Sequence, residues 1–209
     1  LVAAVEMIRE AGIAPHIIPT AHAGNIDALD EYVALAASLG ATMNFSLLSA
    51  PVESDELAAV LPDDAALERL AQATLALSRD GVPVLSDTPV STRLTTTCGC
   101  GAGCAMVSVS ADGEGFPCHM MHDEAFSLGS LVEDPSCLSA RHAPAPRVDE
   151  LAACADCDIR YLCGGGCRAR AYFATGDVEA RDPYCALMRT FYRLLFEAML
   201  GRNQRKEEE

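Results

Sequence analysis

Ten cysteines carry the chemistry of this 209-residue chain, and all of them lie between Cys98 and Cys185. They run Cys98-x-Cys100-x3-Cys104-x13-Cys118, then Cys137, then Cys154-x2-Cys157-x5-Cys163-x3-Cys167-x17-Cys185. Three chemistries compete for such a set. Disulfides belong to exported chains, but Leu1-Val2-Ala3-Ala4-Val5 has no basic leader and no cleavage site after it. Structural zinc takes four ligands per tetrahedral site and commonly pairs two Cys-x2-Cys knuckles. Only one such knuckle, Cys154/Cys157, is present. Iron–sulfur cubanes take four thiolates each, often from a local run plus a distant cysteine. Eight cysteines would serve two clusters and leave two over. Gly164-Gly165-Gly166, between Cys163 and Cys167, suits the iron–sulfur reading. A cluster needs backbone that wraps closely and donates N–H groups to sulfur, and glycine permits both. Without the flanking cysteines, those glycines would read as an ordinary loop.

The elements that must position these residues fall into two halves. Residues 1–97 hold no cysteine and alternate helix with strand. A helix is predicted over 1–11, stopped by Gly12. A short buried strand follows over 14–20. Ile26, Leu29, Val33, Ala36 and Leu39 give a helix over 26–39 that Gly40 ends. Residues 41–48 return as a strand. Asp63 or Asp64 caps a helix of about 15 residues carrying Leu67, Leu70 and Leu75. Val82–Leu85 is another short strand. Such alternation implies parallel strands with helical crossovers. Three units cannot close a barrel, so this half is expected to be the end of a larger α/β domain. In the second half, Met106–Ser110 and Gly115–Cys118 flank Asp112-Gly113, a strong hairpin signal. Residues 184–200 form a last helix with Leu187, Phe191, Leu194, Leu195 and Met199 on one face. The charged tail Arg202–Glu209 is expected to fray.

Composition narrows the function. Fifteen Lys and Arg face thirty Asp and Glu, a net charge of −15. No basic patch stands out, which disfavours nucleic acid and anionic membrane surfaces as partners. No apolar run approaches the roughly 20 residues of a membrane span. Half of the residues are hydrophobic, as in a folded domain. A cytoplasmic location is expected.

The run from Cys98 to Cys185 resembles the SPASM domain of radical S-adenosylmethionine (SAM) enzymes. The matching features are Cys100-Gly101-Ala102-Gly103, Asp112-Gly113, Pro117-Cys118, Leu128-Gly129, Cys154-x2-Cys157-x5-Cys163-Gly-Gly-Gly-Cys167 and the late Cys185. The preceding half resembles the last units of the radical SAM partial β/α barrel. There, strand 14–20 leads through Asn25 into helix 26–39, and Asn44-Phe45-Ser46-Leu47-Leu48 follows. The resemblance implies an α/β fold with three parts: barrel units over 1–97, a loop-rich SPASM domain over 98–200, and a charged tail over 201–209. It also implies two auxiliary 4Fe–4S clusters with interleaved ligands. Cys154, Cys157, Cys163 and Cys185 would hold one. Cys104, Cys118 and Cys167 would hold the other, with Cys98 or Cys100 as the fourth ligand. Cys137 has no family role, and it reads as a small buried hydrophobe or a loop thiol.

Radical SAM enzymes bind their catalytic cluster through Cys-x3-Cys-x2-Cys. That motif is absent from this sequence, although Cys100-x3-Cys104 mimics its start. The chain is therefore expected to be the C-terminal part of a longer enzyme and not to cleave SAM by itself. In the family, a reduced third cluster cleaves SAM to a 5′-deoxyadenosyl radical that takes a hydrogen atom from the substrate. Auxiliary clusters then accept an electron or ligate the substrate, and a flavodoxin or ferredoxin supplies electrons. Substrates are often peptides or proteins. Anaerobic sulfatase-maturing members oxidise Cys or Ser to formylglycine and carry a basic Asp after the cysteine matching Cys118. Here that position is His119, which favours enzymes that cross-link ribosomally made peptides. The non-enzymatic alternative is a cluster-bearing electron-transfer or structural module.

Four further groups invite roles. His119 and His122 could tune a cluster as hydrogen-bond partners, the commoner role, or accept a proton near neutral pH. His16 and His22 flank the first strand, facing either a substrate cavity or solvent. The Met120-Met121 pair reads as packing. Arg160, Arg168 and Arg170 could offset the negative charge of a four-thiolate cluster or could be solvated loop charges.

Overall fold

The computed structural model describes residues 2–49, 55–79, 100–103, 106–138 and 146–207. Its contacts divide the chain into two compact units. The first comprises Leu1–Leu48, Glu53–Val90 and Ala186–Glu209; the second comprises Ser49–Val52 and Ser91–Cys185. The last helix thus belongs with the βα unit, whereas the sequence placed it in the cysteine-rich domain.

In the first unit, α1 (Val2–Glu10) and α2 (Leu29–Ser38) flank strands β1 (His16–Ile17) and β2 (Thr20–Ala21). A turn of 3₁₀ helix, Ile26–Ala28, leads into α2. Arg9, in the last turn of α1, donates to the Leu39 carbonyl beyond the end of α2 at 3.1 Å. Strands β3 (Thr42–Met43) and β4 (Ser46–Leu47) pair parallel with β1 and β2, His16 opposite Thr42 and Thr20 opposite Ser46. The parallel arrangement expected from the alternation is present. One register runs through both pairs: the N–H groups of Thr42, Asn44, Ser46 and Leu48 donate to Pro15, Ile17, Pro19 and Ala21. The predicted single strand over 14–20 nevertheless splits in two. Pro19 has no N–H to return to the partner strand, so the ladder lapses there. Nor is this strand buried as expected: His16 is exposed and Ile18 is 55% exposed.

α3 (Asp55–Ala58) precedes α4 (Asp64–Arg79). Asp63 caps α4, its side chain accepting the Ala66 N–H at 2.7 Å and its carbonyl the Leu67 N–H. Ala66, Leu67, Leu70, Ala71, Thr74 and Leu75 make the buried stripe. With Ile26, Leu29 and Phe45 they form the core of this unit. The last helix, α7 (Cys185–Glu207), buries Leu187, Met188, Phe191 and Tyr192, but Met199 is exposed. It continues through the tail expected to fray, to Glu207. The predicted strand Val82–Leu85 lies outside the described residues.

The second unit holds a three-stranded antiparallel sheet, β5 (Ser108–Val109), β6 (Glu114–Phe116) and β7 (Gly129–Ser130), in that order. The Asp112-Gly113 hairpin forms as predicted, with Ser108 opposite Phe116 and Gly113 at φ +90°. β7 was not foreseen. Two short helices follow, α5 (Arg160–Cys163) and α6 (Arg168–Thr175). Apolar side chains are few here. Two small buried clusters form, Ala102, Cys118, Met121 and Ala169 in one and Val148, Leu151 and Cys154 in the other. Cysteines thus stand where a larger domain would place leucines. Among the described residues, no helix is long and apolar enough to cross a membrane.

Candidate metal centre

Cys154, Cys157, Cys163 and Cys185 come from four local structures. Cys154 ends a 3₁₀ turn, Ala152–Cys154. The Cys157 N–H then returns to the Cys154 carbonyl at 3.1 Å, folding the Cys-x2-Cys knuckle. Cys163 closes α5 and Cys185 opens α7. Cys154 and Cys163 are buried, while Cys157 and Cys185 are half-buried. Burial pushes the Cys163 thiol up to about 11, helped by the charges of Asp182, Cys154 and Cys157 and opposed by the Gly165 N–H. Burial likewise pushes Cys185 up to about 12, with Asp182, Cys163 and Cys154 adding to it. Cys154 is raised by burial and by Cys157, against the charges of Arg168, Arg181 and Arg160. Cys154 and Cys157 thus oppose the ionisation of Cys163, and Cys154 and Cys163 that of Cys185. Metal binding would release their protons. Because the thiolate is the reactive form, alkylation of the metal-free chain at pH 7 should label Cys163 and Cys185 last. Mass spectrometry of a timed digest checks this; early labelling of both would contradict it.

Three consecutive glycines join the two cysteine sets. Gly164, Gly165 and Gly166 have φ of +71°, +96° and +76°. This region costs an L-residue roughly 1–2 kcal/mol. Space is short as well: a Cβ on Gly165 would lie 2.7 Å from Leu151 Cδ1, and one on Gly166 would lie 2.5 Å from Asp182 Oδ2. The bare backbone lets the Gly165 N–H reach the Cys163 sulfur.

Cys100, Cys118 and Cys167 gather around Ala102, Met121 and Ala169. Two hydrogen bonds of 2.9 Å bring Cys100 toward Cys118: the Gly103 N–H donates to the carbonyls of Met106 and Pro117. Burial raises the Cys118 thiol, opposed by the N–H groups of Met120 and Met121 and reinforced by Cys167. Cys98 and Cys104 lie outside the described residues. Among the described residues, no three His, Cys, Asp or Glu side chains converge closely enough to hold a single metal ion. Cys137 sits apart in a 3₁₀ turn, its thiol 3.7 Å from the Gly129 carbonyl.

The remaining named residues sort by their contacts. His119 is exposed. His122 stacks on Phe116 at 4.4 Å and meets Ser108 Oγ at 2.8 Å, so it braces the hairpin. Met121 is buried against Cys118 and Met120 is half-buried beside it, as packing requires. His22 Nδ1 accepts the Gly24 N–H at 3.1 Å, a turn role. His16 bridges Thr42 Oγ1 and Asn44 Oδ1, at 2.8 and 2.5 Å. Arg160 lies over the Tyr161 ring and donates to the Ala155 carbonyl. Arg170 grips Asp182 through two bonds, Nε to Oδ1 at 3.0 Å and Nη2 to Oδ2 at 2.7 Å. Its guanidinium also lies 4.6 Å from the Tyr184 ring and donates to Ser49 Oγ at 2.9 Å.

Asp182 escaped the sequence reading. It accepts from Arg170, from the Cys167 N–H at 2.6 Å and from the Tyr184 N–H at 2.9 Å. Burial alone would raise its carboxyl, but Arg170 and these N–H groups hold it below the usual carboxylate range. No periodicity marks an Asp twelve residues from its partner. The one available signal is its place in Arg181-Asp182-Pro183-Tyr184-Cys185, just before a candidate ligand.

No family model matches the chain, and no curated protein matches its sequence. Its fold, however, is similar to part of the fold of an anaerobic sulfatase-maturating enzyme. The solved structure described as native anSMEcpe with bound AdoMet superposes with a TM-score of 0.72 at 14% identity, covering 95% of this chain and 59% of that one. The same enzyme with bound AdoMet and Kp18Cys peptide gives 0.71 at 15% identity, covering 97% and 61%. Its complex with AdoMet and Cp18Cys peptide also gives 0.71, at 14% identity. The chain therefore spans about three fifths of the length of these structures.

Proposed function

We propose that this chain is part of a radical SAM enzyme of the SPASM type and that its cysteines hold two auxiliary 4Fe–4S clusters. One observation carries the proposal: seven of the nine cysteines named as ligands are described, and they fall into the two groups that the interleaved pattern requires. Cys154, Cys157, Cys163 and Cys185 form the first group. Cys100, Cys118 and Cys167 form the second. Cys104 and either Cys98 or Cys100 would complete the second group.

The donor set fits cubanes. Cys154, Cys163 and Cys185 each feel the charge of a neighbouring thiol of the group, yet no three of the thiols converge on one point. A cubane spreads its thiolates over four irons, whereas zinc draws them to one. Main-chain N–H groups of Gly165, Met120 and Met121 already face Cys163 and Cys118. N–H donors to sulfur are among the features that set a cluster's potential.

When bound, such clusters supply one-electron acceptance or an open iron for a substrate. The residues of this chain do the rest. The glycine run lets backbone approach the sulfurs, the buried thiols exclude water, and His122 fixes the hairpin beside Cys118. His119, exposed next to Cys118, is the residue we assign as candidate proton acceptor.

The substrate we infer is a ribosomally made peptide or a protein, and the reaction an oxidative cross-link such as a thioether. Formylglycine formation fits the fold equally well, since the neighbours are sulfatase-maturating enzymes and two of them hold peptides. His119, where that group carries Asp, favours the cross-link. Mass spectrometry separates the two. The full-length enzyme, reduced and supplied with SAM and a Cys-containing peptide, should remove two hydrogens and leave the sulfur in place. Replacement of the sulfur by oxygen would establish formylglycine formation instead. A peptide left unmodified under conditions where SAM is cleaved would contradict both.

A further inference from the structure

Two arginines stand two residues apart on α6, both buried, and among the described residues only one has a counter-charge. Arg170, 9% exposed, is neutralised by Asp182. Arg168 is 2% exposed. Its Nη1 donates to the carbonyls of Val178 and Ala180, both at 2.9 Å, and its Nη2 to the carbonyl of Gly165. Among the described residues, no carboxylate lies within ion-pair distance of it. Its Nε is buried and has no hydrogen-bond acceptor among the described residues.

A buried guanidinium bonded only to carbonyls carries an uncompensated charge, which is costly in a low-dielectric interior. Its position adds to the cost. Arg168 is the first residue of α6, whose first turn holds no acid, and a helix N-terminus repels cations. An anion would offset this charge. The Cys154 group supplies a candidate: Arg168 holds the Gly165 carbonyl, Gly165 points its N–H at Cys163, and the Arg168 charge acts on the Cys154 sulfur.

We propose that Arg168 is the counter-cation of the cluster held by Cys154, Cys157, Cys163 and Cys185, and that it raises that cluster's reduction potential. The proposal rests on the two-cluster reading and makes Arg168 a positioning residue. Reduction adds one electron, and so one negative charge, to a cluster that its four thiolates already make anionic. Arg168 would stabilise the reduced form more than the oxidised one.

The test is a dithionite titration of the full chain, reconstituted anaerobically and followed by electron paramagnetic resonance. Cys157→Ala identifies which signal belongs to this cluster. With Arg168→Gln, iron and sulfide should stay at the parent level. The reduction equilibrium of the assigned cluster should weaken about tenfold, a fall of about 59 mV for a one-electron couple. The other cluster should shift far less. Arg168→Lys, which keeps the charge, should lie near the parent value. A loaded Arg168→Gln with unchanged potentials would overturn the proposal. So would a lysine variant shifted as far as glutamine, since hydrogen bonding rather than charge would then be at work. If Arg168→Gln fails to load, the lysine variant decides. Loading at a near-parental potential supports the charge role, and failure of both reduces Arg168 to packing. An unsubstituted chain without iron and sulfide sinks the cluster reading itself, a result distinct from all of these.

Discussion

Replacing Asp182 by asparagine is expected to destabilise the cysteine-rich unit by about 3–5 kcal/mol, the cost of stranding a buried charge. Arg170 and Asp182 are both buried and share two hydrogen bonds, and Asp182 also holds the N–H groups of Cys167 and Tyr184. Asparagine would turn a donor toward Arg170 and leave the guanidinium without an anion. Urea unfolding followed by circular dichroism measures the change. A loss below about 1 kcal/mol, as at an exposed pair, would contradict it. An apolar pair, Arg170→Met with Asp182→Leu, should recover most of the loss, because the penalty lies in the broken pair rather than in its absence. The sign with pH follows. A carboxyl held below its ordinary value contributes stability that is complete above about pH 4 and fades only as the pH falls further. The parent should lose more stability than Asp182→Asn between pH 4 and more acid solution.

The second large effect lies at Gly166. Gly166→Ala must adopt φ +76° and place its Cβ 2.5 Å from Asp182 Oδ2, pushing away the carboxylate that holds Arg170 and Cys167. Gly176 is the control. It has φ +78° with nothing within 4 Å of an added Cβ, so Gly176→Ala should cost only the roughly 1–2 kcal/mol of the left-handed conformation. Gly166→Ala should cost clearly more and should lose iron during reconstitution. Equal midpoints for the two variants would show that the loop yields freely.

What the sequence made legible follows from range. The Asp63 cap, the α4 stripe and the Asp112-Gly113 hairpin depend on residues within a turn or two of one another, and all appear as predicted. The parallel pairing of 14–21 with 42–48 followed from alternation. The break at Pro19 could have been read from its missing N–H. The exposure of Ile18 could not, because burial depends on what else covers the sheet. β7 is two residues long, too short to alternate. At the site, the family resemblance, and not spacing by itself, implied the division of the cysteines into two sets. The acid that meets Arg170, and the lack of one for Arg168 among the described residues, needed the fold, because three arginines spread over 160–170 do not reveal which of them meets an acid.

The central claim is that two iron–sulfur clusters occupy the cysteine-rich unit. Iron, acid-labile sulfide and zinc per chain, measured after anaerobic purification and reconstitution with a visible spectrum, test it most directly. Two cubanes predict about eight iron and about eight sulfide atoms with a broad brown absorption. About one or two zinc atoms and no sulfide would contradict it and leave a structural zinc module.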